Sequence, residues 1–114
     1  MLHIAAHAVV PLLVAVALDR TRWQGPFLVL IATMVVDVDH LLADPIYDPA
    51  RCSIGFHPLH TIPAIVSYVA LLVGGLALYR VAASERTKQR ARLGWLIGLG
   101  LLIHMALDAG DCVL

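Results

Sequence analysis

Apolar residues run along the chain in four long stretches. They extend from about Leu2 to Leu18, Trp23 to Ala43, Pro58 to Val81 and Ala91 to Val113. Each approaches the roughly 20 residues a helix needs to cross a bilayer core, although the first is short. A membrane barrel would instead show more numerous, shorter segments of alternating polarity. Backbone groups in lipid must bond internally, so four packed helices satisfy the pattern. The expectation is an all-α, integral membrane four-helix bundle, with residues 1–114 forming one transmembrane domain. Pro26 falls in a first turn, where a missing N–H costs little, and Pro11 is a candidate kink. Gly74, Gly75, Gly94, Gly98 and Gly100 allow close helix approach, with Gly94 and Gly98 in small-xxx-small spacing. Glycine faces of this kind also suit a homo-oligomer.

Composition agrees with that picture. Of 114 residues, 61% are hydrophobic and 14% charged, against roughly 45–50% and about 25% in soluble domains. Mean hydropathy is +0.86, which excludes disorder. The formal net charge is zero, so no basic field points to nucleic acid. Two cysteines are too few for a disulfide scaffold or a cysteine-rich zinc module. The first stretch lacks the basic start and small-residue cleavage site of a secretion signal, so it reads as a helix.

Charge between the stretches sets an orientation. Arg20 and Arg22 follow the first; Arg80, Arg86, Lys88, Arg90 and Arg92 surround the third connection. Both connections lie on one side, and the positive-inside rule makes that side cytoplasmic. Trp23 and Trp95 fall near that interface as belt residues. The basic run can also meet anionic head groups. Both termini and the loop from Asp44 to Phe56 then face the periplasm or exterior of an inner or plasma membrane.

Against this topology, the histidines collect at one end. His3 and His7 open the first helix, Asp37, Asp39 and His40 close the second, His57 and His60 open the third, and His104, Asp108 and Asp111 sit late in the fourth. Several pairs have the three- or four-residue spacing that shares a helical face. Asp39 points away from Asp37 on an ideal helix, which leaves one of them to orient an imidazole. An ionisable group inside a membrane span is costly, usually paired and functional. A divalent cation would relieve both the burial and the mutual repulsion of the carboxylates. His and Asp together suit zinc, with manganese or iron as alternatives. The candidate ligands are His3, His7, Asp37, Asp39, His40, His57, His60, His104 and Asp108, enough for two or more ions. Such sites often hydrolyse phosphoesters or amides. Asp37 or Asp39 would bridge two ions, and the other would act as the base that takes a proton from water. Arg51, the one basic residue of the outer loop, is a candidate for an anionic substrate group. Cys52 and Cys112 both fall outside and are candidates for a disulfide.

The set Asp37-Val38-Asp39-His40, His60-Thr61 and His104-xxx-Asp108, with an early histidine, resembles the LexA-regulated inner-membrane metal-dependent hydrolases (YdjM-like). The likeness spans most of the chain. It departs from the family at Val36, where a proline is usual, and at Pro58, where an arginine commonly follows the histidine. That family is distantly similar to zinc-dependent phospholipase C and the zinc-dependent single-strand nucleases. The resemblance implies a helical hydrolase with a zinc cluster, and an amphiphilic or lipid phosphoester as substrate. Three other readings stay open: a non-catalytic metal carrier or sensor, a haem protein using paired histidines, and a structural subunit.

Overall fold

The computed structural model describes residues 2–46, 48 and 50–113, and among these every regular element is helical. Helix α1 spans Leu2–Leu18 and runs through Pro11. Helix α2 spans Gln24–Ala32 and continues directly as a 3₁₀ segment, Thr33–Leu42. A 3₁₀ turn at Pro58–His60 leads into α3, Ile62–Val81, and α4 spans Glu85–Val113. Three of these spans, Gln24–Leu42, Ile62–Val81 and Glu85–Val113, are long and apolar enough to cross a membrane; Leu2–Leu18 is shorter.

The second apolar stretch is thus two kinds of helix, not one. From Leu30 to Asp39 burial repeats strictly in threes, with Leu30, Thr33, Val36 and Asp39 inside. Three residues per turn bring these four into line, whereas α-helical winding would rotate Asp39 about 120° away from Thr33. A 3₁₀ run of this length is uncommon. The Thr33 hydroxyl, donating to Leu30 O at 2.6 Å, sits at its start.

The fourth helix also begins earlier than its apolar run. Ser84 Oγ accepts from Thr87 N at 3.2 Å and so caps the new N-terminus. Arg86, Lys88, Arg90 and Arg92 therefore ride on the first turns of α4 instead of in a loop.

Close backbone approach holds α3 to α4. A Cβ on Gly75 would meet Trp95 N at 2.7 Å, and one on Gly98 would meet Leu72 N at 2.6 Å. Gly100 serves α2 likewise, its Cβ position lying 2.7 Å from the Thr33 side chain. Gly94 and Gly74 are not tight, so the small-xxx-small pair contributes through Gly98 alone. The buried apolar side chains are small or few: Ala15, Leu30, Val36, Ala91, Leu96 and Met105. Helix α3 buries no residue at all. The interior at one end of the bundle is instead polar.

Candidate metal centre

Four elements deliver this polar interior. The N-terminal part of α1 brings His3 and His7, and the 3₁₀ segment brings Asp37, Asp39 and His40. The turn before α3 brings His57 and His60, and α4 brings His104 and Asp108. His7, Asp39, His57, His60, His104 and Asp108 are buried. Each side chain offers a ligand atom in one of three groups whose atoms lie within 4.8 Å of one another: Asp37, His60, His104 and Asp108; His3, His7 and Asp108; Asp39, His40 and His57. All nine candidate ligands of the sequence are brought together.

Asp108 connects the first two groups. Its Oδ1 lies 3.1 Å from His7 Nε2 and 3.2 Å from His3 Nε2, while Oδ2 lies 3.1 Å from His60 Nε2 and 3.3 Å from His104 Nε2. Asp108 is thus a member of two groups. Of the two carboxylates the sequence offered as a bridge, Asp37 also lies between groups, its Oδ1 3.4 Å from His40 Nδ1 of the third. Asp37 Oδ1 faces His104 Nε2 at 2.9 Å and His60 Nε2 at 3.4 Å.

Asp39 has a different position. Its Oδ2 accepts from Leu59 N at 2.8 Å and from His60 Nδ1–H at 3.0 Å, and its Oδ1 lies 3.1 Å from His40 Nδ1. A carboxylate behind the distal ring nitrogen fixes the tautomer and aims the other nitrogen inward. The His7 ring is fixed in the same way, by Nδ1–H donating to His3 O at 2.9 Å.

These partners create an electrostatic conflict. With Nδ1 donating to an oxygen, a neutral imidazole turns a bare lone pair on Nε2 towards whatever lies ahead. For His7 that is Asp108, and for His60 it is Asp108 and Asp37. Two acceptors then face each other unless a proton or a cation lies between them. Burial alone would push His60 down, yet the carboxylates of Asp108, Asp37 and Asp39 around it favour the protonated form, up to about 10. His60 Nε2 and Asp108 Oδ2 are both buried without a hydrogen-bond partner. They stand 3.1 Å apart but off the line a hydrogen bond requires. This pair of ligand atoms converges without bonding, as a shared cation needs, while His7 Nε2 and His104 Nε2 bond Asp108 and Asp37 through a proton that a cation would displace. Imidazole and carboxylate are also its usual donors, so these residues could hold a metal ion.

The third group forms where the outer loop folds back. Gly55, at φ 82°, makes the reversal, a conformation that glycine adopts without a Cβ penalty. Its N–H donates to His60 O at 2.9 Å. His57 then stacks on His40, ring centroids 3.8 Å apart. Burial, with His40 alongside, pushes the His57 imidazole down towards its neutral form.

Around the groups lie residues the sequence did not mark. Ser53 Oγ sits 3.2 Å from His40 Nε2. Tyr68 OH donates to Leu59 O at 2.8 Å and so braces the turn carrying His60. No spacing signal identifies either. Asp111 stands behind His3, Oδ1 at 3.6 Å from Nδ1. Cys52 and Cys112 are joined in a disulfide, tying the outer loop to the end of α4.

Arg51 pairs with neither Asp44 nor Asp48 through its side chain. It donates to Pro45 O at 2.7 Å and lies over the Phe56 ring, 4.5 Å from its centroid. It shares with His3, Asp37, His40 and His57 a cavity of about 560 Å³, rimmed by Leu2, Ile4 and Ile46.

No curated protein and no solved structure matches the chain. The YdjM-like likeness accordingly rests on its motif residues alone. A family model does match residues 1–114, and the chain belongs to that family of unknown function, DUF6122.

Proposed function

We propose that the chain is an integral membrane, metal-dependent hydrolase acting on a phosphoester of an amphiphile. The observation that carries this reading is Asp108, one carboxylate facing two histidine groups. That arrangement suits two or more ions, zinc first among them, with manganese or iron also fitting the donors. When bound, such ions polarise a phosphoester, activate water and stabilise the leaving oxygen.

The chain's own residues supply the rest. Asp39 holds His60 in its ligating tautomer; both its oxygens are engaged and it is 4% exposed, so it is placed to orient, not to exchange protons with substrate. Asp37 lines the cavity, as Asp108 does, and would be the carboxylate that takes a proton there. Arg51 keeps further N–H donors for an anionic oxygen. Leu2, Ile4 and Ile46 at the rim suit the apolar part of a lipid.

Membrane insertion is supported by the large apolar side chains that the helices turn outward. Val66, Val69 and Val73 of α3 are all exposed, and large exposed apolar faces mark contact with lipid or protein. The orientation inferred from the basic residues puts the cavity outside, where the Cys52–Cys112 disulfide would persist.

The carrier reading lacks a pathway. Beyond the groups, among the described residues, the buried polar side-chain atoms are the Thr33 hydroxyl, closed on Leu30 O, and the Trp95 indole nitrogen, too few to form a path. The haem reading calls for histidines facing across an apolar gap, whereas these rings face Asp37, Asp39 and Asp108.

The test is turnover of a phosphodiester, either a chromogenic one or a short-chain phospholipid, by zinc-loaded protein in detergent. Asp37→Asn is expected to lower kcat about 100-fold or more, and Arg51→Ala to raise KM with metal content unchanged. Metal-loaded protein that turns over neither substrate would contradict the hydrolase reading and favour the sensor.

A further inference from the structure

The other end of the molecule carries a second site. Between α2 and α4 lies an open groove of about 490 Å³, with Arg22, Gln24, Gln89 and Arg92 at its mouth. Val29 and Leu93 form its floor and also belong to a second groove of about 430 Å³. There the walls are apolar, including Leu28, Val35, Ile97 and Leu101, apart from Thr33, whose hydroxyl is bonded to Leu30 O. The two make one slot that is cationic and hydrogen-bonding at one end and apolar along its length.

We propose that this slot binds one anionic phospholipid, its phosphate between Arg22 and Arg92 and an acyl chain along α4. Three observations carry this. First, among the described residues every ion pair is between a histidine and an aspartate, so neither guanidinium group is locked in a contact ion pair. Second, the one acid in the mouth, Asp19, stays ionised near Arg22, so two guanidinium groups face one carboxylate and the mouth keeps a net positive charge. Asp19 Oδ1 accepts from Thr21 N, Thr21 Oγ and Arg22 N, each at 3.0 Å. Third, the slot has the right length. From Arg92 to Leu101 it follows α4 for about 14 Å at 1.5 Å per residue, close to one leaflet of a core about 30 Å thick. Gly25 in the first turn of α2 meets nothing within 4 Å where a Cβ would stand, which leaves the backbone open to a head group.

The proposal rests on the membrane reading above and is independent of the hydrolase. Protein that stays in solution without detergent would sink the membrane reading itself, whatever lipid it prefers. The lipid test is native mass spectrometry in mild detergent with added dioleoyl phosphatidylglycerol or dioleoyl phosphatidylcholine. One phosphatidylglycerol per chain is expected, held about tenfold or more tightly than phosphatidylcholine. Arg22→Gln with Arg92→Gln should abolish that preference. Val29→Trp, which fills the slot and keeps both arginines, should weaken the lipid as well. Arg86→Gln with Lys88→Gln, outside the slot, should leave binding unchanged, and the thermal unfolding of each variant reports an intact fold. Equal binding of the two lipids would overturn the proposal, as would unchanged binding in the arginine variant or in Val29→Trp. An equal loss in the Arg86/Lys88 variant would show a diffuse basic surface instead. Displacement of the lipid by millimolar inorganic phosphate would show a bare anion site.

Discussion

The two ends of this bundle solve opposite charge problems. At one end, Asp39, Asp108 and four of the histidines are buried against one another. At the other, Arg20, Arg22, Arg80, Arg86, Arg90 and Arg92 are exposed. The basic end needs nothing from the interior, because water or head groups solvate an exposed guanidinium. The His/Asp end has no such recourse. Buried carboxylates need a counter-charge, and Arg51 is held on Pro45 O and Phe56 instead of beside them. The counter-charge must be a proton on imidazole or a cation among the ligands. Proton and cation therefore compete for the same atoms, and metal uptake should release protons and strengthen as pH rises.

The contrast can be broken at either end. The largest effect is expected at the shared carboxylate. Asp108→Ala removes a ligand from two groups and His3→Ala from one, so elemental analysis should find fewer ions retained in the first than in the second. Equal losses would argue that the two groups are not joined. Next is the covalent tie. Opening a loop of 60 residues by Cys52→Ser should lower unfolding free energy by about 2–4 kcal/mol, read by thermal denaturation with and without reductant. At mid-bundle, Gly98→Leu forces a side chain onto the Leu72 backbone and should cost about 1–3 kcal/mol. Gly94→Ala has room and should be nearly neutral. The smallest effect belongs to the basic end, where Ser84→Ala removes the cap on Thr87 N and should cost about 1 kcal/mol while leaving metal content unchanged.

Hydrophobic runs located the helices, because length and apolarity are local properties of the chain. The ligand set was legible in part: His104 and Asp108 share a face by spacing alone, whereas His57, expected on one helical face with His60, is extended ahead of the 3₁₀ turn and falls in a different group. What could not be read was the winding between Thr33 and Leu42. Both helix types keep i and i+3 roughly together, so Asp37 and His40 pair in either. Only the 3₁₀ form turns Asp39 inward to His60, and that choice depends on packing against α4. The shared role of Asp108 was hidden for a similar reason. Nothing local to α4 says that His3 and His7, a hundred residues away, lie on its other side. Ser84 is the one missed signal that the sequence did contain. A serine followed three residues later by a side chain that bonds back is a helix start, but the apolar criterion passed over the polar first turns of α4.

Elemental analysis of protein purified in detergent without chelators tests the central claim most directly. Two or more divalent ions per chain, released reversibly by chelator and regained on adding zinc, are the result this account predicts. Protein that carries no metal and takes up none of the zinc offered would contradict it, and would leave protonated histidines as the counter-charge.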